Sequence, residues 1–362
     1  MNDIARIENL IRQAERRLLD LESEKLQLYN EIEHLKKQKE LLVKSHSPLP
    51  PSSGEKTITD RSSREEKIAL FRRLFKGRED VYARRWESRK TGKSGYQPAC
   101  EHEWKAGICG KPSIKCSDCP SRSFIPLTDA TIRKHLEGEF SPGGSPRDHT
   151  IGLYPLLANE TCCFLAVDFD KKTWMQDATA FLQTCKALKI PAALERSRSG
   201  NGGHTWIFFS EPIPAVSARR LGSFLLTETM EKRPEIGLDS YDRLFPSQDT
   251  IPRGGFGSLI ALPFQKEPAS RGNSLFLDEQ SAPFEDQWAF LSTMGRLSPG
   301  DVETIVAIGA SRGRILGVRA VITEDDADQP WALPPSRKPK TPNRQRPFAR
   351  QGQHYSRKPD FH

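Results

Sequence analysis

The chain has 362 residues, 36% of them apolar, and its 55 Lys/Arg exceed its 47 Asp/Glu by eight. That length suits two to three domains of the usual ~150 residues, while the apolar share falls below the ~45–50% of packed domains, so part of the chain is expected outside any core. No run approaches the ~20 apolar residues of a membrane span and the first ten residues lack a signal-peptide layout, which predicts a cytoplasmic protein without a membrane partner.

Residues 4 to 42 hold a heptad. Alternating steps of three and four from Ile4 to Leu42 meet ten apolar residues in twelve positions, interrupted only by Lys25 and Lys39, with no Pro or Gly. Such a seam is narrower than the face of a core-packing helix, so residues 1–45 are expected to form a coiled coil with a copy of the chain or with another helix. A helix folded back on its own domain is the alternative. Residues 46–64, rich in Pro and Ser without periodicity, read as a linker. From Glu65 the spacing of Ile68, Leu70, Phe71, Leu74 and Phe75 predicts a helix with one apolar face.

Thr91-Gly92-Lys93-Ser94 looks like the end of a phosphate-binding loop, but Glu87 stands where the first glycine is required and no buried strand leads in. Asp278-Glu279 likewise lacks an ATPase setting, so no helicase motor is expected in this chain. Seven cysteines, an odd number, favour reduced thiols or metal ligands over a disulfide framework. Cys100, Cys109, Cys116 and Cys119 follow C-x8-C-x6-C-x2-C among polar, turn-forming neighbours. This suits a structural, tetrahedral Zn²⁺, with His102 as a substitute for Cys100 and plain reduced thiols as the other reading. Cys162, Cys163 and Cys185 lie in apolar patterns and read as core.

Helices near 128–137, 174–188 and 214–231 interleave with strands at 161–169, 191–195, 204–209 and 257–263. This predicts a mixed α/β (α+β) body over 65–325, built as a sheet covered by helices. From Pro334 to His362 eight Lys/Arg face a single acid, so the tail holds +7 of the chain's +8. Residues 326–362 read as a basic, disordered extension that raises affinity for DNA or RNA by counterion release. The body is close to neutral, and its function has to be read from motifs.

Three motifs carry chemistry. The apolar run Phe164–Val167 ends in Asp168-Phe169-Asp170; on a strand both carboxylates face one side and Phe169 the other. Two like charges held so close call for a cation, and hard oxygen ligands suit Mg²⁺ or Mn²⁺; solvated carboxylates at a strand end are the bland alternative. Next comes Arg196-Ser197-Arg198-Ser199-Gly200-Asn201-Gly202-Gly203-His204, where a glycine turn, hydroxyls, an imidazole and two arginines could cradle a triphosphate, or form an ordinary hairpin turn. Last, Asp239, Asp242 and Asp249 precede Arg253, which could supply a further ligand and a further phosphate contact, or be loop chemistry.

Taken in this order, the AVDFD strand, the SGNGGHTW turn and the YDRLFPSQD and GGFGSLIALP segments resemble the archaeo-eukaryotic primase superfamily, most closely the primase-polymerase domain of TOTE conflict systems. The resemblance spans about residues 65 to 320. It implies an RRM-like catalytic core with an inserted zinc knuckle, and DNA primase or polymerase activity through two metals. Asp168, Asp170 and Asp242 would be the metal-binding carboxylates, Asp242 preferred to Asp249 because it precedes LFPSQD. Ser199 and His204 would hold the nucleotide's phosphates, with Asn201, Gly202, Arg196, Arg198 and Arg253 around them. One departure stands out: the residue two before His204 is Gly202 where the family's pattern has Ser, which passes the hydroxyl role to Ser199 or loses it. The partners implied are a single-stranded DNA template, RNA as a second option, nucleoside triphosphates, and a separately encoded helicase or nuclease. Two rival readings are a catalytically inactive nucleic-acid-binding adaptor and a metal-dependent nuclease.

Overall fold

The computed structural model describes residues 56–88, 90–139, 148–236, 244–251 and 255–315, with nine helical positions between residues 13 and 32. Those nine are exposed and include the seam residues Leu21, Leu28 and Ile32. The rest of the expected coil, most of the linker, Asp239, Asp242, Arg253 and the basic tail lie outside the described residues.

The first helix of the body, α1 (Arg64–Leu74), begins at a capping box: the Ser63 hydroxyl accepts from the Glu66 N–H, and the Glu66 carboxylate accepts from the Ser63 N–H. It buries Ile68, Leu70, Phe71 and Leu74, the face expected from their spacing. Strands β1 (Ala83–Glu87) and β2 (Ser94–Pro98) form a hairpin whose turn contains Gly92 at φ +66°. Ser94 therefore opens a strand, which is incompatible with a P-loop. Helix α2 (Asp129–Glu137) and strand β3 (Ile151–Leu153) follow.

The next elements follow the predicted order. They are β4 (Thr161–Phe169), α3 (Trp174–Ala187), β5 (Ala193–Arg196), β6 (Gly203–Pro214) and α4 (Ala215–Lys232). β6 is twice as long as the strand expected at 204–209. β5 starts beyond the predicted 191 because Pro191 has no N–H to give a ladder. After β7 (Leu244–Phe245), the strand expected at 257–263 shrinks to β8 (Ile260–Ala261), since Gly257 at φ +83° breaks the extended chain. The described body ends with α5 (Lys266–Ala269), β9 (Phe276–Leu277), α6 (Gln287–Ser292) and α7 (Pro299–Ser311). Among the described residues, no helix is long and apolar enough to cross a membrane.

The strands form two antiparallel sheets, in the orders β2-β1-β3-β8 and β7-β4-β6-β5-β9. The expectation of one sheet covered by helices holds for one face only. Leu165, Val167 and Phe169 of β4 and Ile207 and Phe209 of β6 pack under α3, α4 and α7. Their neighbours Phe164, Ala166, Trp206 and Phe208 point the other way, into a core shared with α1 and the four-stranded sheet. Alternation along these strands therefore assigns Asp168 and His204 to the side of the second sheet. Each fully buried Phe or Leu here stabilises the fold by about 1.5–3 kcal/mol relative to exposure.

His135 ties this second layer together. Fully buried, it donates from Nε2 to the Pro263 carbonyl at 2.8 Å and accepts from the Ile151 N–H at Nδ1, 3.3 Å away. Both nitrogens are satisfied only in the neutral ring, and burial pushes its pKa down to about 4. With the folded value below the ordinary 6.5, the unfolded chain binds more protons in between, so this stability is complete above pH 6.5 and is lost as pH falls. Urea unfolding should show a loss of about 2 kcal/mol by pH 5 and about 3 kcal/mol by pH 4 that is absent from His135→Gln.

Candidate active site

Three paired strands line up three side chains. Across the ladder Asp168 of β4 stands opposite His204 of β6, which stands opposite Glu195 of β5. The His204 Nδ1–H donates to Glu195 Oε2 at 2.9 Å, and Nε2 lies 3.8 Å from Asp168 Oδ1. Glu195 is 1% exposed, and it also accepts from the Trp206 indole N–H at 3.1 Å and the Ser274 hydroxyl at 3.4 Å. A charge buried so deeply survives only with such partners. Burial alone would push the His204 imidazole down, but the Glu195 carboxylate, by charge and by hydrogen bond, and Asp168 together hold it above its ordinary value. Its Nε2 is turned towards the exposed end of β4.

Asp168 is 29% exposed and Asp170 follows it in the open, while Phe169 between them packs on Phe181 in the core. Two carboxylates at a strand end, beside an imidazole, are hard oxygen donors of the kind Mg²⁺ or Mn²⁺ takes. Among the described residues no three His, Cys, Asp or Glu side chains gather tightly enough to hold a metal without further ligands. Asp242 lies outside the described residues, but Leu244, two positions later, pairs with Val167, the residue before Asp168. Asp249 is engaged by Arg219 at 2.6 Å.

The glycine-rich stretch is a hairpin turn between β5 and β6, closed by the Ser197 N–H on the Gly202 carbonyl at 2.9 Å, with Gly200 at φ +79°. Ser199 and Asn201 are exposed at its tip, and the Asn201 N–H donates to the Ser199 hydroxyl at 3.2 Å. Gly202 explains the departure from the family pattern. A Cβ there would sit 2.8 Å from the Phe169 carbonyl oxygen and 3.3 Å from Ser197 Oγ. The space of the family's serine is thus closed by backbone and bordered by a hydroxyl from the other arm of the turn.

The two arginines of the turn have structural partners. Arg196 donates to the carbonyls of Gly272 and Ser281 at 3.1 and 2.9 Å. Arg198 donates to Asp148 at 2.6 Å, Gln265 at 2.7 Å and Thr150 at 3.0 Å, which staples the turn to the loop before β3. Arg253 lies outside the described residues. Glu195, which sequence reasoning missed, backs His204 from β5.

Cys100, Cys109, Cys116 and Cys119 line a single cavity together with His102 and Lys111. Four thiols are the donors a structural Zn²⁺ takes, but no three of these groups gather closely enough in this structure to hold a metal, and His102 Nδ1 lies 2.6 Å from the Ser121 carbonyl. Cys162, Cys163 and Cys185 are buried in the core, as expected.

A family model described as "TOTE conflict system, Archaeo-Eukaryotic Primase domain" matches residues 66–305, well over half of the chain. Among solved structures, "Polymerase Domain from Mycobacterium tuberculosis Ligase D in complex with DNA" matches at 14% identity and a TM-score of 0.32, covering 70% of this chain and 89% of that one. No curated protein sequence matches. The chain belongs to the archaeo-eukaryotic primase domain family of TOTE conflict systems.

Proposed function

We propose that this chain is a primase-polymerase that carries out template-directed nucleotidyl transfer at the end of β4. The observation that carries this reading is the row Asp168, His204, Glu195 across three paired strands of a primase-family domain. Asp168 and Asp170, joined by Asp242, would hold Mg²⁺ or Mn²⁺. Support for Asp242 over Asp249 comes from the pairing of Leu244 with Val167 and from the ion pair that already engages Asp249. When bound, such ions activate the attacking hydroxyl and neutralise the α-phosphate and the departing pyrophosphate. The chain's own groups bind and orient the nucleotide. His204, whose pKa its two acidic neighbours raise and whose Nδ1–H is taken by Glu195, would donate from Nε2 to a phosphate oxygen. The glycine turn offers backbone N–H groups, and a hydroxyl comes from Ser199 or Ser197. Arg196 and Arg198 would hold the turn in place.

The test is incubation of the full chain with single-stranded template, labelled nucleotides and Mg²⁺ or Mn²⁺, with and without primer. Products without primer establish a primase, and products only with primer a polymerase. Loss of labelled DNA without triphosphates would instead mark a nuclease. Template binding without product would leave the inactive adaptor.

Two further assignments belong to this reading. The four cysteines would hold a structural Zn²⁺. The chain purified without chelator is expected to carry one zinc, and Cys116→Ser/Cys119→Ser to lose it and melt several degrees lower; zinc-free protein of unchanged melting temperature would reject the site. The exposed seam residues Leu21, Leu28 and Ile32 support pairing of the N-terminal helix with a second copy, which light scattering of Leu21→Lys/Leu28→Lys would test.

A further inference from the structure

Beyond the N-terminal helical positions, the large apolar side chains left exposed among the described residues are Trp86, Trp104, Ile108 and Ile114. All four fall in the β1–β2 hairpin and the cysteine-rich segment that follows it. The same stretch concentrates the body's positive charge: residues 84–122 carry nine Lys/Arg against four Asp/Glu, an excess that the rest of the near-neutral body offsets. Hairpin and segment form one surface. Arg84 pairs with Glu103 at 2.9 Å, and Lys111 reaches both Gln97 at 3.0 Å and Glu103 at 3.2 Å.

Each indole is held rather than loose. Trp86 stands opposite Gly95 in the ladder, where a Cβ would come within 3.1 Å of the ring, so the missing side chain lets the indole lie on the neighbouring strand with 39% of the residue open. Trp104 is 63% exposed at φ +58°, and the Lys111 ammonium lies 5.5 Å from its ring centroid. A left-handed backbone costs a bulky residue on the order of 1 kcal/mol, and here that cost secures no burial. Lys90 and Lys93 are exposed at the hairpin turn, and neither has a carboxylate partner among the described residues.

The surface connects to the active site. The Arg85 N–H donates to the Thr150 carbonyl at 2.9 Å, and the Thr150 hydroxyl accepts from Arg198 of the glycine turn at 3.0 Å. Tyr96, opposite Arg85, has its hydroxyl pushed up by burial and also feels the charges of Arg85, Arg198, Glu195 and Asp148.

We propose that the β1–β2 hairpin and the cysteine-rich segment form a track for single-stranded nucleic acid, in which Trp86 and Trp104 stack on bases and Lys90 and Lys93 contact phosphates. Aromatic platforms interleaved with unpaired cations are the pattern of sequence-tolerant strand binding, whereas a protein partner would call for acidic complementarity. That the bound strand is the template rests on the function proposed above.

The test reads anisotropy of a labelled single-stranded oligonucleotide, as DNA and as RNA, against the full chain over a salt series. Trp86→Ala/Trp104→Ala is expected to weaken binding by about tenfold or more, and the double Phe variant to restore most of it. Lys90→Gln/Lys93→Gln, at exposed positions that leave the fold untouched, is expected to lower the log–log salt slope by about 1.4, about 0.7 for each phosphate contact. Binding within about twofold of the unchanged chain at an unchanged slope, for both variants, overturns the track and leaves the patch as a protein contact. Failure of the unchanged chain to bind any single strand overturns it too. A chain that synthesises nothing yet loses binding in these variants keeps the track and refutes the catalytic reading; one that synthesises while both variants bind normally does the reverse.

Discussion

Asp168→Asn is expected to lower template-dependent incorporation by about a thousandfold, equivalent to about 4 kcal/mol of barrier, while single-stranded DNA binds as before. The substitution keeps the shape of the side chain and removes its charge. It falls at the exposed end of β4, beyond the buried run Cys162–Val167 that carries the strand's packing, so the melting temperature should move by no more than a few degrees. Asp170→Asn is expected to follow it, because the two carboxylates would share the metals. A primer-extension assay in Mg²⁺ and again in Mn²⁺ decides the matter. Full activity in either variant would remove that carboxylate from the catalytic set and, for Asp168, the reading built on the three-strand row.

Strand β4 was legible because its signals are local. Six consecutive buried residues read as an apolar run, the acids that end it read as a polar exit, and the alternation that sends Phe169 inward follows from strand geometry alone. Helices α1, α3 and α4 were legible for the same reason, each having a periodic apolar face. Most of the four-stranded sheet was not. ARRWE and SGYQP show no apolar alternation and β8 is two residues long, as are β7 and β9 at the edges of the other sheet, so pairing rather than side-chain pattern makes them strands.

At the site, what the chain did not reveal has the same physical origin. Arg196 and Arg198 beside a glycine turn read as phosphate contacts, yet their partners Gly272, Ser281, Asp148 and Gln265 come from segments 50 to 85 residues away. The absence of the family's serine at Gly202 was visible in the chain. Its reason, the Phe169 carbonyl across the ladder, was not. Glu195 left one signal, a lone acid inside the apolar strand Ala193–Arg196. Its meaning depends on cross-strand register with His204, which only the folded sheet fixes.

Glu195 and His204 should therefore behave as a coupled pair, in activity and in stability. Glu195→Gln keeps an oxygen for the Trp206 indole N–H but removes the charge facing His204. The Michaelis constant for the nucleotide is expected to rise about tenfold, a loss in the range of one charge-assisted hydrogen bond, with a smaller change in turnover and none in template affinity. His204→Ala acts differently, because it leaves a carboxylate of 1% exposure without its imidazole partner. Removing one partner of a buried ion pair costs about 3–5 kcal/mol, whereas adding Glu195→Gln to His204→Ala should recover much of that loss. Urea unfolding of the two single variants and the double measures the coupling directly. A double variant as unstable as the sum of the singles would show that Glu195 serves the indole and the core alone, with no part in positioning His204.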